Sequence, residues 1–314
     1  MSTQQNAPLP EGWLVEGYRI LDLLAKGGVS FVYRARDREG KTVAIKEYLP
    51  HTLARREEGD IEPEILPDCE RAFLFGLKCF FEEGRSLARI NHPNVIRVLN
   101  FFRANQTVYM VMQYEEGRTL LQYIRQKHGG LRESFIRAMG LRVLSGLREV
   151  HTHKLLHLDL KPANIYLRRN GDPVLIDFGS ARQSLSSDQE WVRTMFTPGY
   201  APPEQLSGKR EDIGPWTDLY SFGATLYTCV TGQAPPRAEA RQEKDDLAQR
   251  LEPYRGHYTP ELIDLIVDLM QLDPEKRPQS AYAVQKVLSA YVPFLVAATE
   301  YRSLMPSLPE GAER

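Results

Sequence analysis

From Tyr18 the chain alternates apolar and polar positions at the two-residue period of half-buried strands: YRILDLL, then FVYRAR, then KTVAIKEYL, with DREG (37–40) as a hairpin turn. Residues 50–68, PHTLARREEGDIEPEILPD, break that pattern with polar residues and prolines and predict a surface insertion. From Glu70 to Ile90 the period lengthens to that of a helix, with Phe73, Leu77, Phe80, Phe81, Leu87 and Ile90 apolar and NHPN as its stop. VIRVLNFF and TVYMVMQY predict two more strands around the turn RANQ. After Gly117 the character changes. Residues 119–128 and 134–153 are helical by period, and only IYLRR and PVLIDF, joined by Asn170-Gly171, still read as strands. Thr259-Pro260 predicts the N-cap and first position of a helix whose Leu262, Leu265, Ile266 and Leu269 form a core stripe.

The pattern is α+β: a small β-rich part with one main helix, then a larger helical part, with MQYEEG between them. At 314 residues and 42% hydrophobic, there is apolar material for one large domain or two smaller ones. A formal net charge of −1 gives no positive field, which disfavours nucleic acid as a partner. The basic pairs Arg55-Arg56 and Arg168-Arg169 read as solvated surface. Cys69, Cys79 and Cys229 have no metal-ligand spacing and read as reduced thiols, so the expected location is cytoplasmic. MSTQQNAPLPEG has neither a basic nor an apolar region of a signal peptide, and residues 1–12 read as a flexible leader. The run Val292–Ala298 contains Pro293 and is far short of the ~20 residues a membrane span needs.

The chemistry concentrates in LLHLDLKPANIYL (155–167). A carboxylate pair for glycoside hydrolysis would need a second acid, which this segment lacks. Phosphoryl transfer instead needs a carboxylate for the attacking hydroxyl, a cation for the phosphoryl group and an oxygen ligand for a metal. Asp159, Lys161 and Asn164 supply these in order, although a polar loop with an asparagine turn would carry the same letters. Downstream, Asp177 ends a strand and is followed by Phe178 and Gly179, a placement suited to a metal ligand. Upstream, Lys46 sits in the apolar strand Val43-Ala44-Ile45-Lys46 and needs an anion unless it points to water from an edge. Glu83 is preferred to Glu82 as that anion because it precedes Leu87 by one helical turn, on the same face.

Together these motifs resemble the eukaryotic-type (Hanks-type) serine/threonine protein kinases, in particular the bacterial branch. The carriers are VAIK (43–46), the Glu83 helix with HPN (92–94), HLDLKPAN (157–164), DFG (177–179), TPGYAPPE (197–204), DLYSFG (218–223) and DPEKRP (273–278), in the family's order. The resemblance implies a bilobal fold: a leader at 1–12, an N-lobe at 13–114 with an insertion near 50–72, a hinge at 115–118, a C-lobe at 119–292 and a tail at 293–314. It implies that Lys46 contacts the ATP phosphates and pairs with Glu83, that Asp159 orients the substrate hydroxyl, and that Lys161 neutralises the transferring phosphoryl group. Asn164 and Asp177 would hold Mg²⁺, with Mn²⁺ as an alternative. Leu24, Val32, Ala44 and Leu167 would enclose the adenine, with Gly27 and Gly28 at the phosphates, Met112 at the back and Glu115 at the hinge. His157, Phe178, Gly179 and Thr197 would support the catalytic loop, Asp218 would brace it, and Glu204 and Arg277 would form a buried ion pair. DxKPxN and Thr197 point to Ser/Thr hydroxyls of proteins as acceptors.

The chain departs from the family in four places. The phosphate loop expected as GxGxxGxV reads AKGGVSFV (25–32), with Ala25 and Ser30 in place of outer glycines. Leu158 stands where members switched by loop phosphorylation carry an arginine, which removes the charge-assisted contact to that phosphate. The loop's own hydroxyls, Ser184, Ser186, Ser187 and Thr194, would then be no switch of that kind. The stretch between Lys46 and Glu83 is long, and reads as a lid on the small lobe ahead of a docking surface. Pro202 replaces an alanine beside Glu204. The competing function is a pseudokinase, a nucleotide-binding scaffold with little turnover, favoured by the altered glycine loop. A partner contact at 50–72 or on the tail, with Phe294, Leu295, Val296, Tyr301 and Leu304, stays open.

Overall fold

Strand alternation builds a six-stranded antiparallel sheet in the order β1-β2-β3-β4-β8-β7. Its members are β1 (Leu14–Val15), β2 (Tyr18–Lys26), β3 (Ser30–Arg36), β4 (Thr42–Tyr48), β7 (Val98–Ala104) and β8 (Thr107–Gln113). The computed structural model describes residues 6–127, 130–178, 197–207 and 209–290, and the chain divides into two units, 1–91 with 96–115 and 92–95 with 116–314. In the first unit, Asp37 Oδ1 accepts the N–H groups of Glu39 and Lys41 and so closes the β3–β4 turn. Asn105 and Gln106 both take positive φ, the requirement of a two-residue turn between β7 and β8.

Register decides what each face carries. Val32 pairs with Lys46 and Lys46 with Met110, while Ala44 pairs with Met112, so these side chains share one face. Helix α1 (Glu70–Leu87) covers that face: Phe80 lies 5.5 Å from Lys46 Nζ, and Tyr48 packs against Phe73 and Phe80. Phe31, Glu47 and Tyr109 pair across the same strands and point to the opposite face.

That second face overturns two expectations. Arg56 is not solvated surface; it is 2% exposed and forms a bidentate pair with Glu47, at 2.6 and 2.8 Å. A carboxylate in register with Val43 and Ile45 is buried and needs a cation, and the insertion supplies it. The leader is likewise built in from Asn6 onward. Asn6 and Leu9 are buried, and Ala7 exchanges bonds with Arg56 (Ala7 N to Arg56 O, 3.0 Å; Arg56 Nε to Ala7 O, 2.9 Å). The insertion forms its own hairpin, β5 (Ala54–Arg55) with β6 (Glu64–Ile65).

The second unit holds the three-stranded sheet β11-β10-β9, built from β9 (Gly117–Thr119), β10 (Ile165–Arg168) and β11 (Pro173–Leu175). Its helices are α2 (Leu120–Lys127), α3 (Glu133–Thr152), α4 (Pro203–Ser207), α5 (Pro215–Thr231), α6 (Ala238–Glu243), α7 (Leu247–Leu251), α8 (Pro260–Leu269) and α9 (Ala281–Ala290). Helix α5 is buried almost throughout, which its apolar run on all sides dictates. Thr259 and Pro260 stand at the N-cap and first position of α8, yet the hydroxyl donates to Glu133 (2.6 Å) rather than capping. Among the described residues no helix is long and apolar enough to cross a membrane.

Candidate active site

The 157–159 backbone is held by side chains of the second unit. Asp218, fully buried on α5, accepts from the N–H groups of His157 (2.9 Å) and Leu158 (2.8 Å), and His151 Nε2 lies 2.8 Å from the same carboxylate. Burial alone would raise this carboxyl, but the bonds from His151 and the His157 backbone outweigh it and hold Asp218 below its ordinary value. His157 is buried against Phe178, ring centroids 4.4 Å apart. Burial lowers its pKa despite the nearby Asp218, Asp159 and Asp177, so the ring is neutral at pH 7. Leu158 takes φ of 59°, a left-handed geometry that costs an L-residue roughly 1–2 kcal/mol.

These braces present Asp159. Its Oδ1 accepts the Thr197 hydroxyl (2.8 Å), and its Oδ2 accepts from Lys161 Nζ (2.7 Å) and Asn164 Nδ2 (3.0 Å). Lys161 Nζ also donates to Thr197 Oγ1 (2.7 Å), which closes a triangle of acid, ammonium and hydroxyl. Asn164 Nδ2 reaches the Asp159 carbonyl as well (2.9 Å), so the amide is oriented with its oxygen as the remaining acceptor.

The pairing of Ile165 with Leu175, and the Ile176 N to Asn164 O bond (3.0 Å), set Ile176 opposite Asn164 and so place Asp177 one residue beyond it. Among the described residues no group of three or more His, Cys, Asp or Glu could hold a metal by itself. A carboxylate and an amide oxygen are hard donors, and they fit a Mg²⁺ that keeps water and phosphate as its other ligands.

Glu204 and Arg277 form a buried bidentate pair at 2.6 and 3.0 Å. Arg277 also donates to the carbonyls of Gln271 and Leu272, and Thr217 donates to Glu204, so no charge there is left half-satisfied.

In the first unit, Lys46 and Glu83 are buried, whereas Glu82 is half-buried and pairs with Arg85 at 2.6 Å. A Cβ on Gly84 would come within 3.2 Å of Met110, the residue paired with Lys46, so α1 sits close to this strand beside Glu83. Val32, Ala44 and Met112 are half-buried on one sheet face, and Leu24 is 43% exposed. Glu115 is the last residue of the first unit, and Leu167 is buried in β10 of the second. Gly27, Gly28, Ala25 and Ser30 all avoid positive φ, so the missing outer glycines impose no backbone strain. Gly179, the loop hydroxyls Ser184, Ser186, Ser187 and Thr194, and the tail lie outside the described residues.

Sequence reasoning missed Gln205, His151, Glu47 and Arg56. Gln205, on α4, is buried and donates from Nε2 to the Leu158 carbonyl at 2.6 Å. Only Glu47 carried a usable signal, its inward parity in β4 with Val43 and Ile45.

The fold and this constellation define a protein kinase. The protein kinase domain matches residues 18–289, and the chain belongs to that family. Its relatives place it with the bacterial serine/threonine branch. A probable serine/threonine-protein kinase of Clostridium perfringens is 32% identical over 84% of this chain and 36% of its own length. One from Streptomyces coelicolor is 31% identical over 84% and 38%. The solved structure titled PpkA-294 apo form is 35% identical, with a TM-score of 0.79, covering 90% of this chain and 99% of that one. The chain spans little more than a third of the length of these two curated relatives.

Proposed function

We propose that the chain is an ATP- and Mg²⁺-dependent kinase that transfers the γ-phosphate to Ser/Thr hydroxyls of proteins, without a phosphate–arginine latch. The observation that carries this reading is the Asp159–Lys161–Thr197 triangle with Asn164 bonded to the same carboxylate. Asp159 accepts the proton of the incoming hydroxyl and orients its oxygen in line with the phosphorus. Lys161 is held beside it to offset the negative charge that develops on the transferring group. Thr197 fixes the Asp159 rotamer and lines the place where the acceptor residue lies. Mg²⁺, when bound by Asn164 and Asp177, neutralises the phosphate charge. On the other unit, Lys46 aligns the α- and β-phosphates with Glu83 as its partner. Leu24, Val32, Ala44, Met112, Glu115 and Leu167 are assigned to the nucleoside, and Gly27 and Gly28 to the phosphates. Cytoplasmic location and protein substrates belong to the same proposal.

The test compares the native chain with Asp159→Asn and Asp177→Asn, using labelled ATP, Mg²⁺ and a basic carrier protein. Transfer lost in both variants supports the kinase. Nucleotide-dependent thermal stabilisation with no transfer in the native chain would favour the scaffold instead.

A further inference from the structure

We propose that residues 6–9 and the 50–66 insertion form a clamp that fixes the phosphate loop, with His51 as the positioning residue at the loop's tip. This rests on the reading of residues 25–32 as the phosphate loop. The insertion is therefore a working part of the nucleotide site.

The loop is tied down at three points. Gly28 O accepts from His51 twice, from the backbone N–H at 3.2 Å and from Nδ1 at 2.7 Å. A carbonyl can only accept, so it selects the His51 tautomer with hydrogen on Nδ1. Val29 O accepts from Leu49 N at 2.8 Å. Lys26 Nζ donates to Asn6 O at 2.7 Å, and its ammonium lies 5.2 Å from the Phe31 ring.

The Asn6 tether leads back to a buried centre. Asn6 donates to Ala54 O (3.1 Å) and accepts from Arg56 N (2.8 Å). Arg56 grips Glu47, and Glu47 in turn accepts from Tyr33 (2.6 Å) and Tyr109 (2.8 Å). Arg56 also lies 5.8 Å from the Phe31 ring, so that ring is contacted by two cations, one from the loop and one from the insertion. Glu47 follows Lys46 in β4, so the clamp and the ATP-contacting lysine hang from one strand, on opposite faces.

The consequence lies in the amides. With the carbonyls of Gly28 and Val29 taken, the loop tip has a fixed backbone. Among the described residues nothing accepts from the N–H groups of Gly28 and Val29, which remain as donors for a phosphate. A loop short of its outer glycines is held ready from behind, and ordering it on nucleotide binding costs less.

The test uses the full chain with His51→Ala, His51→Asn and Asn6→Ala, and hydrogen exchange of the bonded loop amides, Gly27 and the Lys26–Phe31 pair, without nucleotide. His51→Ala is expected to speed that exchange about tenfold, with the thermal midpoint unchanged. It should also raise the KM for ATP about fivefold at constant kcat, the worth of one hydrogen bond. His51→Asn, which keeps a side-chain donor, restores both, and Asn6→Ala reproduces the exchange effect. Exchange unchanged in both alanine variants overturns the clamp. A native chain that transfers no phosphate, but shows the exchange effect, overturns the kinase reading and leaves the clamp standing.

Discussion

Gln205 Nε2 donates to the carbonyl oxygen of Leu158 at 2.6 Å, while Asp218 accepts from the Leu158 N–H at 2.8 Å. Both backbone groups of this left-handed residue are thus committed to buried side chains, and its peptide leads directly into Asp159. Helices α4 and α5 supply both partners. Gln205→Leu keeps the bulk and removes the donor, stranding a buried carbonyl. Urea unfolding should register a loss of about 1–3 kcal/mol. At a temperature where the variant stays folded, kcat should fall with the KM for ATP unchanged. An unchanged kcat would leave Gln205 a packing residue only.

Leu158→Arg restores the letter that the family's switched members carry, but not the switch. The Leu158 side chain is 3% exposed, so a guanidinium there must find an anion or disrupt its surroundings. The expected result is a lower thermal midpoint and no new dependence of activity on loop phosphorylation. Replacing Ser184, Ser186, Ser187 and Thr194 together by alanine in the native chain should leave phosphorylation of a generic substrate within about twofold. Activity falling to background in that variant would show that a loop phosphate is needed after all.

Two buried groups set acid sensitivity in different pH windows. Asp218 has its pKa lowered in the folded chain. Its stabilisation is complete above the unfolded value near ~3.9 and is lost as pH falls through the lower folded value. Asp218→Asn should therefore cost ~3–5 kcal/mol at pH 7, with the gap to the native chain narrowing below about pH 4. His157 is also lowered. Its unfolded form takes a proton below ~6.5 while the buried ring stays neutral, so stability drops from there downward, by up to ~1.4 kcal/mol per pH unit. Urea midpoints of His157→Phe between pH 7 and 5 should lack that slope.

Much of this was legible because local pattern and tertiary demand agreed. Alternation in β2, β3 and β4 marked the strands, and Leu87 picked Glu83 over Glu82 as the inward acid. The segment from His157 to Leu167 carried its chemistry at fixed spacing. What escaped were contacts between segments with opposite local character. Arg56 lies in a polar, proline-containing stretch that reads as solvated, and its partner Glu47 lies in an apolar strand, so neither neighbourhood advertises the other. Asn6 and Leu9 belong to a short polar N-terminal stretch with no period at all. Gln205 follows Glu204 in a five-residue helix, too short to display a face.

The Glu47–Arg56 pair permits the sharpest stability test, since both side chains are fully buried. Arg56→Met removes the cation and leaves a carboxylate whose neighbours are Tyr33 and Tyr109. Burial and then Glu47 hold both phenols well above their ordinary values, so they remain neutral donors and cannot replace the charge. The single variant should lose ~3–5 kcal/mol in urea unfolding. Glu47→Gln alone should cost less, because an amide still accepts from the tyrosines. Combining Arg56→Met with Glu47→Leu removes both charges and should recover most of the loss, giving strong coupling in a double-mutant cycle. Additive losses would mean that Arg56 acts through Ala7 and Asn6 rather than through Glu47. Hydrogen exchange separates the two routes, because only loss of the Asn6 and Ala7 contacts should loosen residues 6–9 while the β4 amides stay protected.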